Sequence, residues 1–177
     1  MNPPILIRPL RPSDVPHFVA RENAQGWHST PEKLNLRLEH QSAGKCHALV
    51  AEYAGEPAGY VHVYPDSHWG PETFHGLPEI VDFAVLETFR RRGIGAALMD
   101  AAEAIAARYA GEVYLGVGLH SGYGSAQRMY VKRGYVPDGT GAWYGERICA
   151  PYASTVNDDD LILYLSKRLP EVRHGGA

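Results

Sequence analysis

Glu79-Ile80-Val81-Asp82-Phe83-Ala84-Val85-Leu86, followed after three residues by Arg90-Arg91-Arg92-Gly93-Ile94-Gly95-Ala96-Ala97-Leu98, reads as a strand, a glycine-bearing loop and the start of a helix. Glycines 93 and 95 let the backbone come close to an anion, the first amides of the following helix point at it, and three arginines add positive charge. The pattern is that of a pyrophosphate cradle, and it implies a nucleotide-bearing ligand. Other glycine loops fit less well. A P-loop requires Lys-Ser or Lys-Thr after its last glycine, where Ala96-Ala97 stand; the dinucleotide fingerprint requires Gly or Ala where Leu98 stands.

Around this stretch, Ile5 to Arg8 is expected as a first strand. Pro9 to Asp14 supplies a breaker and a cap for a helix over about 14–24, and Thr30-Pro31 opens another to about Ser42, with Leu34 and Leu38 on one face. Residues 46–53 and 57–64, split by Ala54-Gly55-Glu56, read as a hairpin. Residues 65–78 read as an aromatic loop, whose rings either tuck into a satellite core or wall a substrate site. A long alanine-rich helix is expected over 93–109, a strand over 112–117, a loop at 122–124, a helix over 126–132 closed by Gly134, a later strand near Trp143-Tyr144 and a last strand over 161–166. A single domain over 1–169 and a disordered tail at 170–177 complete the expectation.

Two stretches carry a family resemblance. Arg90-x-x-Gly93-x-Gly95 after Glu79-Ile80-Val81-x-x-Ala84-Val85 resembles the signature of the GNAT superfamily of N-acetyltransferases, and residues 125–135, Ser-Ala-Gln-Arg-Met-Tyr-Val-Lys-Arg-Gly-Tyr, are similar to its later helix, with Met129 for Leu and Tyr135 for Phe. Tyr123 stands where an asparagine is common, so a side-chain amide contact to the pantetheine arm is not carried over. The resemblance implies an α/β fold with a mixed, mostly antiparallel sheet of about seven strands flanked by helices. It also implies transfer of acetyl from acetyl-coenzyme A directly to a primary amine of a small molecule or protein, in a ternary complex. A coenzyme A-binding sensor and a transferase of longer acyl groups are the alternatives.

By the same resemblance, Arg90, Arg91, Arg92, Gly93, Ile94, Gly95 and Ala96 hold the diphosphate, and the backbone of Phe83, Ala84 and Val85 pairs with the pantetheine, an amide near Phe83 serving as oxyanion donor. Glu79 matches the general base and Tyr130 the acid that protonates the departing thiolate. Four residues of extended strand separate Glu79 from Phe83, about 13 Å, which calls for a water relay. Asp82 is a weaker candidate for holding a cationic acceptor, and Asp82 or His120, beside Ser121, could stand in as base.

Composition bounds the rest. The 177 residues are 45% hydrophobic and 21% charged, with a net charge of −3 that argues against a nucleic-acid surface. No apolar run approaches a membrane span and no signal peptide is apparent, so a cytoplasmic protein is expected. Two distant cysteines and nine histidines without a His-Glu-x-x-His spacing lead us to expect no disulfide framework and no metal. A homodimer is left open.

Overall fold

In the computed structural model, residues 3–170 are described. The elements are β1 (Ile5–Pro9), α1 (Asp14–Ala24), α2 (Pro31–Ser42), β2 (His47–Tyr53), β3 (Glu56–Ser67), β4 (Leu77–Val85), α3 (Ile94–Ala106), β5 (Glu112–Gly118), α4 (Gly124–Lys132), β6 (Val136–Tyr144), β7 (Arg147–Ile148) and β8 (Leu161–Arg168). Among the described residues, eight strands belong to one mixed, largely antiparallel open sheet flanked by four α-helices. The sequence led to about seven strands. The extra one, β7, is two exposed residues paired through Trp143↔Ile148 and Tyr144↔Arg147, too short to carry an alternation.

The chain divides into two compact units. The first holds residues up to 64 together with 80–105. Its strands run in the order β1-β2-β3-β4. β1 pairs antiparallel with β2, and β2 with β3, through a tight turn in which Ala54 and Gly55 both have positive φ, 54° and 83°. Phe18 of α1, Leu34 of α2, Val50 of β2, Tyr60 of β3 and Leu86 meet in its core. The apolar spacing of α2 is thereby explained: Leu34 is buried and Leu38 packs on the same cluster. Arg8 ties β1 to α1 and β2, forking onto Asp14 at 2.7 and 2.8 Å and reaching Glu52 at 2.7 Å. Leu98, Met99 and Ala102 bury the inner face of α3, which ends at Ala106 rather than Tyr109 and is followed by a tight turn, Tyr109 N–H donating to Ala106 O at 2.9 Å.

The second unit holds residues 65–79 and those from 106 onward. Its strand order is β5-β8-β6-β7, with β5 and β6 both antiparallel to β8. Phe74, Tyr114, Trp143 and Tyr164 form its aromatic core, Phe74 stacking on Tyr114 with ring centroids 4.8 Å apart. The aromatic loop expected over 65–78 is therefore partly ordered. Residues 65–67 finish β3, Glu72–Phe74 makes a helical turn and Leu77 begins β4; Phe74 is buried, whereas Trp69 is 64% exposed. The loop expected at 122–124 is likewise helical, a turn at Ser121–Tyr123 running straight into α4. Pro170 is exposed; the remainder of the tail expected at 170–177 lies outside the described residues. Among the described residues no helix is long and apolar enough to cross a membrane.

Candidate active site

In the first unit the turn from β4 to α3 has the backbone of an anion cradle. Arg91 and Gly93 lie in the left-handed region with φ 60° and 82°, a pattern that turns successive amides inward. Ala97 N–H donates to Gly93 O at 3.0 Å, so Gly93 supplies the first helical acceptor and the amides of Ile94, Gly95 and Ala96 have none within the helix. Ile94, buried, pins the helix start, while Arg91, Arg92 and Gly93 are exposed. A Cβ on Gly93 would meet nothing nearer than Ile5 Cδ1 at 3.8 Å, so its backbone conformation, not crowding, demands glycine. Arg90 lies over the Trp27 ring at 5.8 Å and pairs with Glu87 at 3.4 Å, and Arg92 lies over Tyr53 at 5.2 Å. These contacts hold two of the three guanidiniums beside the turn. The geometry fits a diphosphate, whose charge the helix dipole and the arginines would compensate.

β4 leads into this turn after a bend. Asp82 has φ 54° in mid-strand, a conformation that interrupts a ladder and redirects the chain. Pro78, Glu79 and Ile80 before it are buried, whereas Val81 through Val85 are half-buried. Beyond the bend β4 lies against β3: Leu86 N–H donates to Ala58 O at 2.9 Å, and a Cβ on Gly59 would stand 2.6 Å from Ala84 O. Arg37 Nε donates to Asp82 Oδ2 at 2.6 Å, so this carboxylate, expected as a contact for a cationic acceptor, is engaged within the fold. Burial opposes ionisation of Asp82, but the surrounding charges hold it below the usual carboxylate range. Arg37 is the chief of these at neutral pH, because burial depresses His62, 3.9 Å away, to about 3 and keeps it uncharged.

Glu79, Tyr130 and His120 belong to the second unit. Glu79 is only 7% exposed, and Ser67 Oγ donates to its Oε2 at 2.5 Å. The Tyr114 phenol beside it donates to Trp69 O at 2.9 Å; burial first, and then the charge of Glu79, push that phenol upward. Glu79 is thus a buried, oriented carboxylate and not a solvated strand end. Tyr130, 5% exposed on α4, packs edge-on against Tyr135 at 5.7 Å. Burial raises its phenol well above the ordinary tyrosine range, so it keeps its proton at neutral pH.

His120 is committed on both sides. Nδ1 accepts from Gly122 N–H at 3.0 Å, which leaves Nε2 to carry the proton it shares with Asp159 Oδ1 at 2.9 Å. The lone pair a base would need is therefore occupied by a backbone amide. Tyr123 OH also donates to Asp159, at 2.9 Å, and its ring lies so close to Gly118 that a Cβ there would approach within 2.3 Å. Among the described residues no group of three or more His, Cys, Asp or Glu is disposed to hold a metal ion.

The sequence reading missed Arg37, Tyr64, Ser67 and Tyr114. A signal existed for the first two: Tyr60-x-His62-x-Tyr64 places one polar face on a strand, and Arg37 with His40 one face on α2.

The model of the acetyltransferase (GNAT) family matches residues 13–135. The chain belongs to the GNAT family. Among curated relatives, an N-alpha-acetyltransferase of Sulfurisphaera tokodaii is 37% identical over 106 residues, spanning 55% of this chain and 61% of the length of that relative. Among solved structures, Ard1 from Thermoplasma volcanium superposes with a TM-score of 0.66 at 24% identity, covering 94% of this chain and 99% of that one. A ribosomal-protein-alanine N-acetyltransferase from Brucella melitensis gives 0.66 at 21% identity, covering 93% and 99%. At these identities the two structures establish that this GNAT member shares their fold.

Proposed function

We propose that this GNAT member transfers acetyl from acetyl-coenzyme A to a primary amine in one ternary complex, and that the α-amine of a polypeptide is its acceptor. The observation that carries the reading is the continuous stretch from the bend at Asp82 to the amides of Ile94 to Ala96. It offers a half-buried strand backbone and an anion cradle at its end. The similarity to an N-alpha-acetyltransferase supports the choice of amine.

Acetyl-coenzyme A would supply the activated carbonyl. The turn at Arg91 to Ala96 would hold its diphosphate, and Phe83 to Val85 would align its pantetheine arm, with an amide near Phe83 meeting the charge that develops on the carbonyl oxygen. Glu79, oriented by Ser67, would take the ammonium proton through water. As the N–C bond forms and the C–S bond breaks, the nitrogen would release its second proton to solvent, and Tyr130 would give its proton to the thiolate and regain one from solvent. The two cysteines, Cys46 and Cys149, are free, which suits a cytoplasmic setting.

Thiol release from acetyl-coenzyme A, measured with peptides of free N-terminus, N-blocked peptides carrying lysine, and small polyamines, tests the reading. Release with the free N-termini alone is expected. Release only with polyamines would replace the acceptor class, release only from longer thioesters would replace the acyl group, and binding without release above the solvent rate would leave a coenzyme A sensor.

A further inference from the structure

Asp82 occupies φ 54° in the middle of β4, a region that a residue with a side chain enters only where its surroundings hold it. Its own neighbours in the chain give no reason for the bend. Glycine, the usual residue for such a conformation, is absent from the strand. What does meet Asp82 is α2. Arg37 Nε donates to its Oδ2 at 2.6 Å, while Arg37 Nη1 donates to Tyr64 OH at 2.7 Å and the guanidinium lies 5.3 Å from the Tyr64 ring centroid. His40 Nδ1 shares the Tyr64 hydroxyl at 2.7 Å, and Cys46 Sγ donates to the Arg37 carbonyl at 3.6 Å. The Arg37 guanidinium is therefore held by Tyr64, whose hydroxyl His40 also engages, before it reaches the bend.

The peptide plane between Asp82 and Phe83 carries the Phe83 N–H, so the torsions of residue 82 set where that N–H points. A carboxylate stranded in this half-buried place would gain by moving to water, and relaxation of residue 82 from its costly positive φ is the backbone route by which it would do so. We propose that Arg37 is a positioning residue for acyl transfer: by gripping the Asp82 carboxylate it holds the bend in β4 and so aims the backbone of Phe83 to Val85. The role in transfer rests on the reading of Phe83 to Val85 as the edge that aligns the thioester. The hold on the bend stands apart from that reading. A pair that merely stabilised the fold would need no particular torsion at residue 82. Here the ion pair and the left-handed torsion fall on one residue, immediately before the proposed oxyanion donor.

The test combines crystal structures with acetyl-transfer kinetics for Arg37→Met, Arg37→Lys and the double variant Arg37→Met with Asp82→Asn. In Arg37→Met, residue 82 should relax to negative φ. Its kcat should fall at least about tenfold while the KM for acetyl-coenzyme A stays within about threefold, because the diphosphate turn is untouched. The double variant strands no charge, and asparagine tolerates the left-handed region, so φ should return positive and kcat recover to within about threefold. Arg37→Lys, which keeps the charge but not the fork, carries the test if the methionine variant does not fold; an intermediate kcat is expected. A positive φ retained in Arg37→Met with Asp82 in place, or a lowered Tm with unchanged kcat in that variant, overturns the proposal. If the unaltered protein transfers no acetyl group, the acetyltransferase reading falls, and the torsion at residue 82 still decides whether Arg37 holds the bend.

Discussion

Gly59 lies so close to Ala84 that a Cβ on it would stand 2.6 Å from the Ala84 carbonyl oxygen and 3.2 Å from Val85 Cα. Both obstacles are backbone, so neither can step aside by a rotamer change. Gly59→Ala should destabilise the protein by about 1–3 kcal/mol. It should also slow turnover, since the displaced atoms belong to the strand proposed to align the thioester. Gly111→Ala is the control: nothing lies within 4 Å and no positive φ is demanded, so stability should be unchanged or slightly raised. Denaturant midpoints and kcat for the two variants check the contrast, and equal behaviour would contradict it.

Tyr130→Phe should leave coenzyme A affinity within about threefold of wild type and lower kcat about a hundredfold, the effect of losing a positioned proton donor. Glu79→Gln should keep the Ser67 contact, and so most of the stability, but abolish the acidic limb of the pH–rate profile. Calorimetry and stopped-flow thiol detection read both. Unchanged kcat in either variant would return that residue to a packing role in its buried cluster.

His62 gives the protein an acid liability. It is fully buried and stacks on Tyr60 at 5.4 Å, and among the described residues neither ring nitrogen has a hydrogen-bond partner; burial depresses its pKa to about 3. The unfolded chain titrates near pH 6.5, so in the window between these values unfolding takes up a proton. Stability from this group is complete above about pH 6.5 and is lost as the pH falls, with a slope of up to about 1.4 kcal/mol per pH unit. Asp14 and Asp82, both held below the usual range, add loss only as the pH drops beneath about 4. His62→Phe should keep the stack on Tyr60 and flatten the slope between pH 6 and about 4. Denaturant titrations across that range would refute the account if the two proteins ran parallel.

The sequence carried the strand, turn and helix from Glu79 to Ala106 because three local signals agree there: an apolar run, glycines before the helix and an alanine-rich face. The hairpin at Ala54-Gly55 and the start of α2 at Pro31 were legible for the same reason. The bend at Asp82 was not, because the residues that engage its carboxylate, Arg37 and through it Tyr64, stand 45 and 18 positions away in the chain, and no local rule expects an aspartate at positive φ in a strand. Ser67 over Glu79 escaped likewise, since the stretch between them looked like open loop although its ends are strands. His120 was named as an alternative base from its place beside Ser121; that the turn at Ser121–Tyr123 gives its Nδ1 a backbone donor depends on a local fold that no side-chain pattern announces.

The central claim is that the amides around Arg91 to Ala96 grip a diphosphate. Calorimetric titration of coenzyme A against the wild-type protein and Gly93→Val tests it most directly, because a β-branched residue resists the φ of 82° that Gly93 adopts on the exposed side of the turn. The account predicts saturable binding to the wild type and a loss of at least about a hundredfold in the variant, measured at a temperature well below the Tm of both proteins because the strained turn lowers that of the variant. No binding to the wild type, or equal binding to both proteins, would contradict it.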